Sequence, residues 1–270
     1  MKLIAFCLLC LVIFCTHVGA VNNLRLSDIR SMGMGGNEVT QSSLLNPSLI
    51  ALQSNRKLQI NYFNRYSLKE LQTVNGSFQC PNPILPIGVD IFSFGYDAYR
   101  ESMFRLSGSK LLGDKWSLGI SVQYAILQTE LCEENISRLS TDIGSTFHPV
   151  DNLLVGMLIT NLPSVSIKNN TTEIKDFTFY LIQIGFQWKV INNMLIAGSI
   201  GTNNEHTVIC NAGIEYTVFD AFFVRAGIRS DPVLPSLGVG YNLYHFIIDV
   251  AALYHPELGI STGIGLSFSF

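Results

Sequence analysis

From Lys57 to the C-terminus the chain alternates between greasy and small polar side chains, and few folds tolerate that pattern over so many segments. In residues 57–66, Leu58, Ile60, Tyr62 and Tyr66 alternate with Lys57, Gln59, Asn61 and Arg65. In 117–128, Leu118, Ile120, Val122, Tyr124 and Ile126 alternate with Ser117, Gly119, Ser121, Gln123 and Ala125. Residues 178–190 set Tyr180, Ile182, Ile184, Phe186 and Trp188 against Gln183, Gly185, Gln187 and Lys189. The last segment sets Ile260, Thr262, Ile264, Leu266, Phe268 and Phe270 against Ser261, Gly263, Gly265, Ser267 and Ser269. Successive side chains of a strand point to opposite faces, so each segment has one oily face and one small hydrophilic face.

A soluble sandwich also alternates, but its oily face is a packed core of branched aliphatics. Here that face is bracketed by Tyr, Trp and Phe, and the other carries Gly, Ser, Asn and Gln. Such faces suit a wall between lipid and a wet or plugged interior. Sheet edges do not survive in hydrocarbon, so the sheet must close. The composition agrees: 48% of residues are hydrophobic and 14% charged, where a soluble domain carries about 25% charged residues. The longest apolar run after the N-terminus, Leu153 to Ile159, is too short for a membrane helix.

The N-terminus specifies export. Lys2 gives a positive start, Leu3 to Cys15 is apolar, and Val18-Gly19-Ala20 places small residues where a signal peptidase reads, so cleavage is expected after Ala20. Of the 17 Lys and Arg, Lys2 leaves with this leader; 16 then face 20 Asp and Glu, a formal charge of −4. That balance argues against nucleic-acid binding. Cys7, Cys10 and Cys15 also leave, and Cys80, Cys132 and Cys210 have no metal-type spacing and are expected as free thiols. No metal or other cofactor is expected.

The alternating segments number fourteen: 57–66, 71–80, 87–97, 101–112, 115–129, 137–147, 152–160, 176–190, 193–201, 206–217, 221–230, 236–243, 245–254 and 258–270. With both ends on the periplasmic side, every second connection is a short turn: Gly113-Asp114, Pro149–Asp151, Ile191-Asn192, Phe219-Asp220 and Tyr244, with Pro81–Pro86 longer. The outward connections 130–136, 161–175 and 230–235 are longer, as outer-membrane barrels show. The expected fold is all-β, a 14-stranded antiparallel transmembrane β-barrel over 57–270. The expected location is the outer membrane of a two-membrane bacterium, with outer-membrane lipid and the barrel-assembly machinery as partners.

Residues 21–56 fit no strand. They contain Ser31-Met32-Gly33-Met34-Gly35-Gly36 and then Asn46-Pro47-Ser48-Leu49-Ile50-Ala51. A glycine-rich stretch followed by an Asn-Pro-Ala-Leu-like motif resembles the N-terminal hatch of the FadL-like outer-membrane barrel superfamily. Within it, the chain resembles the PorV/PorQ-type relatives associated with type IX secretion; Phe147-His148-Pro149-Val150-Asp151-Asn152-Leu153, Gly156 and Asn161 resemble a segment of those relatives. Two positions depart from the pattern: Thr40-Gln41-Ser42-Ser43 stands where acidic residues are common, and Ser48 replaces Ala. The resemblance implies a hatch inside the lumen, with Gly33, Gly35, Gly36, Asn46 and Pro47 as its hallmarks. Physically, glycines let a backbone turn tightly in a narrow space, Asn-Pro fixes a turn, and a fourteen-stranded lumen is too wide for its own side chains to fill. The segment is expected either to gate passage or to plug the barrel statically.

Four charges fall on the lumen side of their strands: Glu215, Arg225, Arg229 and Asp249. The arginines could greet the carboxylate of an amphipathic ligand, or all four could form an ion-pair network joining wall to hatch. Pro81, Pro83 and Pro86 precede the third strand; proline removes ladder donors, so this run is either a lateral opening, as the resemblance implies, or a rigid turn. Phe268 and Phe270 on the last strand resemble the signal read by the barrel-assembly machinery. No Ser or Asp is aligned with a His on one face: His206 has lipid-side parity, His148 and His255 precede Pro, and His245 starts a strand. An enzyme is not expected. Two functions remain open: passage or binding of hydrophobic or amphipathic small molecules, and a non-transporting PorV/PorQ-like accessory scaffold that holds a secretion-system protein or surface protein.

Overall fold

The computed structural model describes residues 28–130, 135–168 and 180–270. The expected leader (1–20), the first residues of the expected hatch and Cys132 lie outside the described residues. Fifteen strands are present: β1 Lys57–Asn64, β2 Gln72–Cys80, β3 Ile87–Tyr96, β4 Tyr99–Leu112, β5 Trp116–Thr129, β6 Ile136–Val150, β7 Leu153–Thr160, β8 Ser164–Lys168, β9 Leu181–Ile191, β10 Met194–Asn203, β11 Val208–Phe219, β12 Phe222–Arg229, β13 Leu234–Leu243, β14 Phe246–His255 and β15 Gly259–Ser269. All neighbours are antiparallel, β1 pairs with both β2 and β15, and β7 pairs with β9. The fourteen strands other than β8 therefore close into one barrel. Among the described residues no helix is long and apolar enough to cross a membrane.

β8 belongs to a stretch expected as an outward loop. It is the far end of an interrupted seventh stave, since both β7 and β8 pair with β6. The break falls at Asn161, whose backbone φ of 59° leaves the extended region. The Asn161 N–H, lost to the ladder, donates to the Asp142 carboxylate at 2.8 Å. Pairing with β6 resumes at once through Leu162 N–H to Thr141 O at 2.9 Å and Thr141 N–H to Pro163 O at 3.1 Å.

The two faces separate as the alternation requires. On β5, Ser117, Ser121 and Gln123 are buried while Leu118, Ile120, Val122 and Tyr124 are exposed; on β1, Gln59 and Asn61 are buried while Leu58, Ile60 and Tyr62 are exposed. Such an exterior belongs in hydrocarbon, because each large apolar side chain left in water forfeits about 1.5–3 kcal/mol of burial. Aromatic rings gather where the strands meet the short turns: Trp116 lies 4.4 Å from Phe147, Phe246 4.7 Å from Phe268, and Phe268 5.3 Å from Phe270, centroid to centroid. Cys80 and Cys210 are free thiols.

The proline run is a turn, and the wall does not open there. The β2–β3 ladder runs without a register shift to Cys80↔Ile87, and Pro81, Pro83 and Pro86 all lie beyond it. The Asn82 side chain accepts from the N–H groups of Ile84 and Leu85, at 2.9 and 2.8 Å. The Lys110 ammonium donates to Ile84 O at 2.7 Å, so the turn is tied to β4 as well. The prolines sit where no ladder donor is needed.

Candidate functional site

Residues 28–53 fold into three short turns against the inward faces of the strands. Asp28 caps α1 (Ile29–Gly33), Glu38–Gln41 forms α2, and a 3-10 turn spans Pro47–Leu52. Asn46 ties these together: its carbonyl accepts from Ser48 N–H at 3.1 Å and from the Ser48 hydroxyl at 2.7 Å, and its amide donates to Val39 O at 2.6 Å. Ser48 thus gives Asn46 a bond that an alanine could not. Likewise the Gln41 amide donates to Gln187 Oε1 and the Ser43 hydroxyl to Gln79 Oε1, each at 2.8 Å. Neutral hydrogen bonds thus hold the stretch from Gln41 to Ser43 against the wall.

Glycines on both partners set the closeness of the fit. Gly35 has φ of 75°, and a Cβ there would come within 2.6 Å of the carbonyl oxygens of Ala212 and Ile228. On β12, a Cβ at Gly227 would collide with the Met34–Gly35 backbone. Backbone therefore lies directly on backbone, as only glycine permits. Gly33 approaches Gly238 in the same way, while Gly36 contributes its φ of 78° alone.

A chain of four charges anchors α1 to the wall. The β11–β12 register places Glu215 opposite Arg225. Arg225 Nε donates to Glu215 Oε2 at 2.6 Å, and Arg225 Nη1 reaches over β13 to Asp249 Oδ1 at 2.6 Å. Gly240 makes that reach possible, because a Cβ there would lie 2.6 Å from the Asp249 carboxylate and 2.7 Å from the guanidinium. The fourth charge is Arg30, which grips Glu215 with two parallel bonds of 3.0 and 2.8 Å. Burial opposes the charge on Arg30, but the carboxylates around it, Glu215 first and then Asp249 and Asp28, together hold the guanidinium pKa above its ordinary value. The result is two cations alternating with two carboxylates, each satisfied by charge-assisted bonds.

The structure therefore joins three of the four charges read from the sequence and leaves the fourth apart. Arg229 lies two inward positions further along β12, beyond Gly227; it has no ion pair among the described residues, and its buried Nε has no hydrogen-bond partner there. Parity placed it on the inward face correctly, but strand β12 carries it past the reach of Glu215 and Asp249. Arg30 was invisible to the alternation because it is not on a strand. A second buried cluster was missed for another reason: Arg105 bonds Asp90 at 2.8 Å and Asp142 at 3.4 Å, with all three from different strands and nearly fully buried. Each has inward parity, so the signal was present and went unused.

Opposite the charge chain lies an apolar cluster inside the barrel. Leu44 and Leu45 pack on Phe92 and Phe94 of β3, Met103 of β4 and Ala125 of β5, with Leu71 and Tyr99 at its margin. Here the hydrophilic face departs from its pattern, since Phe92 and Phe94 point inward and are buried to 4% and 2% exposure. Around it the wall is polar and under-bonded: Asn61 Nδ2 and the hydroxyls of Thr73, Ser77, Ser107 and Ser109 are buried without partners. Among the described residues no group of His, Cys, Asp and Glu could hold a metal ion.

The fold is thus a closed fourteen-stranded antiparallel barrel with a lipid-type exterior and a chain segment folded against its interior. Neither a protein-family profile nor a curated protein matches the sequence. Solved structures match the fold. A deltaS2 mutant of the TodX monoaromatic hydrocarbon channel superposes with a TM-score of 0.67 at 12% identity, over 93% of this chain and 100% of that one. The Pseudomonas putida toluene transporter TodX gives 0.61 at 11% identity, over 88% and 96%. A Pseudomonas aeruginosa FadL homologue gives 0.51 at 14% identity, over 88% and 94%. The chain shares the barrel plan of these FadL-type proteins.

Proposed function

We propose that this chain is a FadL-like outer-membrane channel for small hydrophobic or amphipathic molecules, with residues 28–53 as its hatch. The observation that carries the reading is the apolar cluster inside the barrel, shared between wall and segment. Leu44 and Leu45 from the hatch and Phe92, Phe94 and Met103 from the wall form it jointly, so any shift of the hatch would uncover a greasy surface within the lumen. Such a patch gives an apolar solute a surface to cover inside the barrel. The names of the similar structures, a hydrocarbon channel and a toluene transporter, point the same way. The reading includes no catalytic step. Purified protein in liposomes is expected to speed the uptake of a long-chain acid over protein-free liposomes. Equal rates would defeat the proposal.

One observation favours the second reading, a PorV/PorQ-like accessory scaffold in which the segment never moves. The segment is held by paired charges and by backbone-on-backbone contacts at Gly35, Gly213 and Gly227. A static plug leaves the rim and outward loops as the working surface. Absence of uptake together with co-purification of a stable partner protein would establish that reading over the first.

A further inference from the structure

The β2–β3 turn differs from the other connections at its end of the barrel. Its six residues, Pro81-Asn82-Pro83-Ile84-Leu85-Pro86, carry no charge, whereas neighbouring turns expose Asp114, Asp151, Asn192 and Asp220. Ile84 at the tip is 81% exposed, more than any other Leu, Ile or Val among the described residues. Leu85 bends back onto the outside of the wall, where its side chain comes within 3.7 Å of the position a Cβ on Gly108 would take. Gly108 pairs with Ile87 and Ile120, which face outward and are exposed. The apolar tip of the turn is therefore continuous with the lipid-facing surface of β3–β5 and not with the lumen.

The backbone of the turn is prepared for the same surroundings. Three of the six residues are prolines and carry no N–H. The N–H groups of Ile84 and Leu85 both donate to the Asn82 side-chain oxygen, at 2.9 and 2.8 Å. The carbonyls are met as well. The Asn82 amide donates to Leu85 O, the Lys110 ammonium to Ile84 O at 2.7 Å, and Ser109 N–H to Pro86 O at 2.9 Å. Water satisfies the polar groups of an ordinary surface turn. Hydrocarbon does not, so a segment that enters it must satisfy them internally.

We propose that the β2–β3 turn is a membrane-immersed foot, with Ile84 and Leu85 set among the acyl chains of the inner leaflet and Lys110 beneath its phosphates. Lys110 suits the second role because its stem runs up the lipid face, where it stands opposite the exposed Leu118. Of the three donors on the ammonium, two turn to the carbonyls of Ile84 and Pro83, and one is available to a phosphate oxygen. The foot fixes how deeply the β2–β4 flank sits in the membrane. The opposite flank, with Asp220 at its β11–β12 turn, has no equivalent. The assignment is independent of whether the barrel passes a solute.

The test places the full chain, with Cys80, Cys132 and Cys210 changed to Ser, in nanodiscs of phosphatidylcholine and phosphatidylglycerol. Ile84→Cys and Asp220→Cys are each labelled with an environment-sensitive fluorophore, and heat-modifiable gel mobility verifies the folded barrel. Should Ile84→Cys not fold, Pro83→Cys takes its place at the same tip. An immersed turn lies roughly 5–10 Å below the headgroup boundary, so a phosphatidylcholine with a doxyl quencher high on its acyl chain should quench the label at 84 about threefold more than that at 220. Aqueous iodide should show the reverse order. Equal iodide quenching at the two positions, or a label at 84 that the doxyl lipid does not reach, would overturn the foot. A label at 84 that iodide reaches in nanodiscs but not in native outer membranes would also overturn it, in favour of a protein covering the turn.

Discussion

The β11–β14 side of the barrel and the β3–β5 side hold the same N-terminal segment by opposite means. On the first, Arg30 is gripped by Glu215, which is gripped in turn by Arg225 and, through it, linked to Asp249. On the second, Leu44 and Leu45 rest on Phe92, Phe94 and Met103 without a polar contact between the side chains. Charge-assisted bonds fix position sharply, because they weaken steeply with distance and angle. Apolar contact is non-directional and lets surfaces slide. The segment is therefore pinned by paired charges at its first turn and held at its middle by apolar contact beside the neutral bonds of Gln41 to Gln187 and Ser43 to Gln79.

The largest break in this contrast should come from Arg225→Ala. It strands the buried Asp249 carboxylate and leaves Glu215 to Arg30 alone, and loss of one partner from such a network costs about 3–5 kcal/mol. We expect loss of the heat-modifiable folded form, or a steep fall in its melting temperature; a variant as stable as wild type would show that the network is not an anchor. Leu44→Ala comes next, at about 2–4 kcal/mol for a fully buried leucine. Its signature should be different in kind: proteolysis within residues 28–53 should rise while the barrel itself keeps its gel mobility. Equal loosening of wall and segment would deny that the two are separable. Arg229→Ala should be the mildest, within about 0.5 kcal/mol by thermal melting, because it has no ion pair with any described residue to lose. A drop matching that of Arg225→Ala would place Arg229 in the network after all.

The comparison also separates what could be read from residues from what could not. Lys57–Asn64, Trp116–Thr129 and Gly259–Ser269 begin and end within a few residues of where alternation puts them. Their period is a direct consequence of the pleat, and it needs no knowledge of neighbours. The lumen charges show the limit of that signal. Parity correctly turned Glu215, Arg225, Arg229 and Asp249 inward, but whether an inward charge meets a partner depends on cross-strand register and on the gap that Gly240 leaves. The Pro81–Pro86 run was open to two readings, a lateral opening or a rigid turn, because proline chemistry alone does not say whether a ladder donor is needed there; the β2–β3 ladder ends before the run, which leaves it a turn.

By itself, then, the sequence determined a closed sheet of fourteen staves, which side of each strand meets lipid, and where the short turns fall. These follow from local periodicity and from the cost of leaving backbone groups unpaired in hydrocarbon. Only the tertiary structure decided that Arg30 completes the charge chain, that Leu44 finds Phe92 and Phe94, and that β7 breaks at Asn161 onto Asp142. Each of those joins residues far apart in the chain, and the choice of partner is made by register and close packing, which no local pattern encodes.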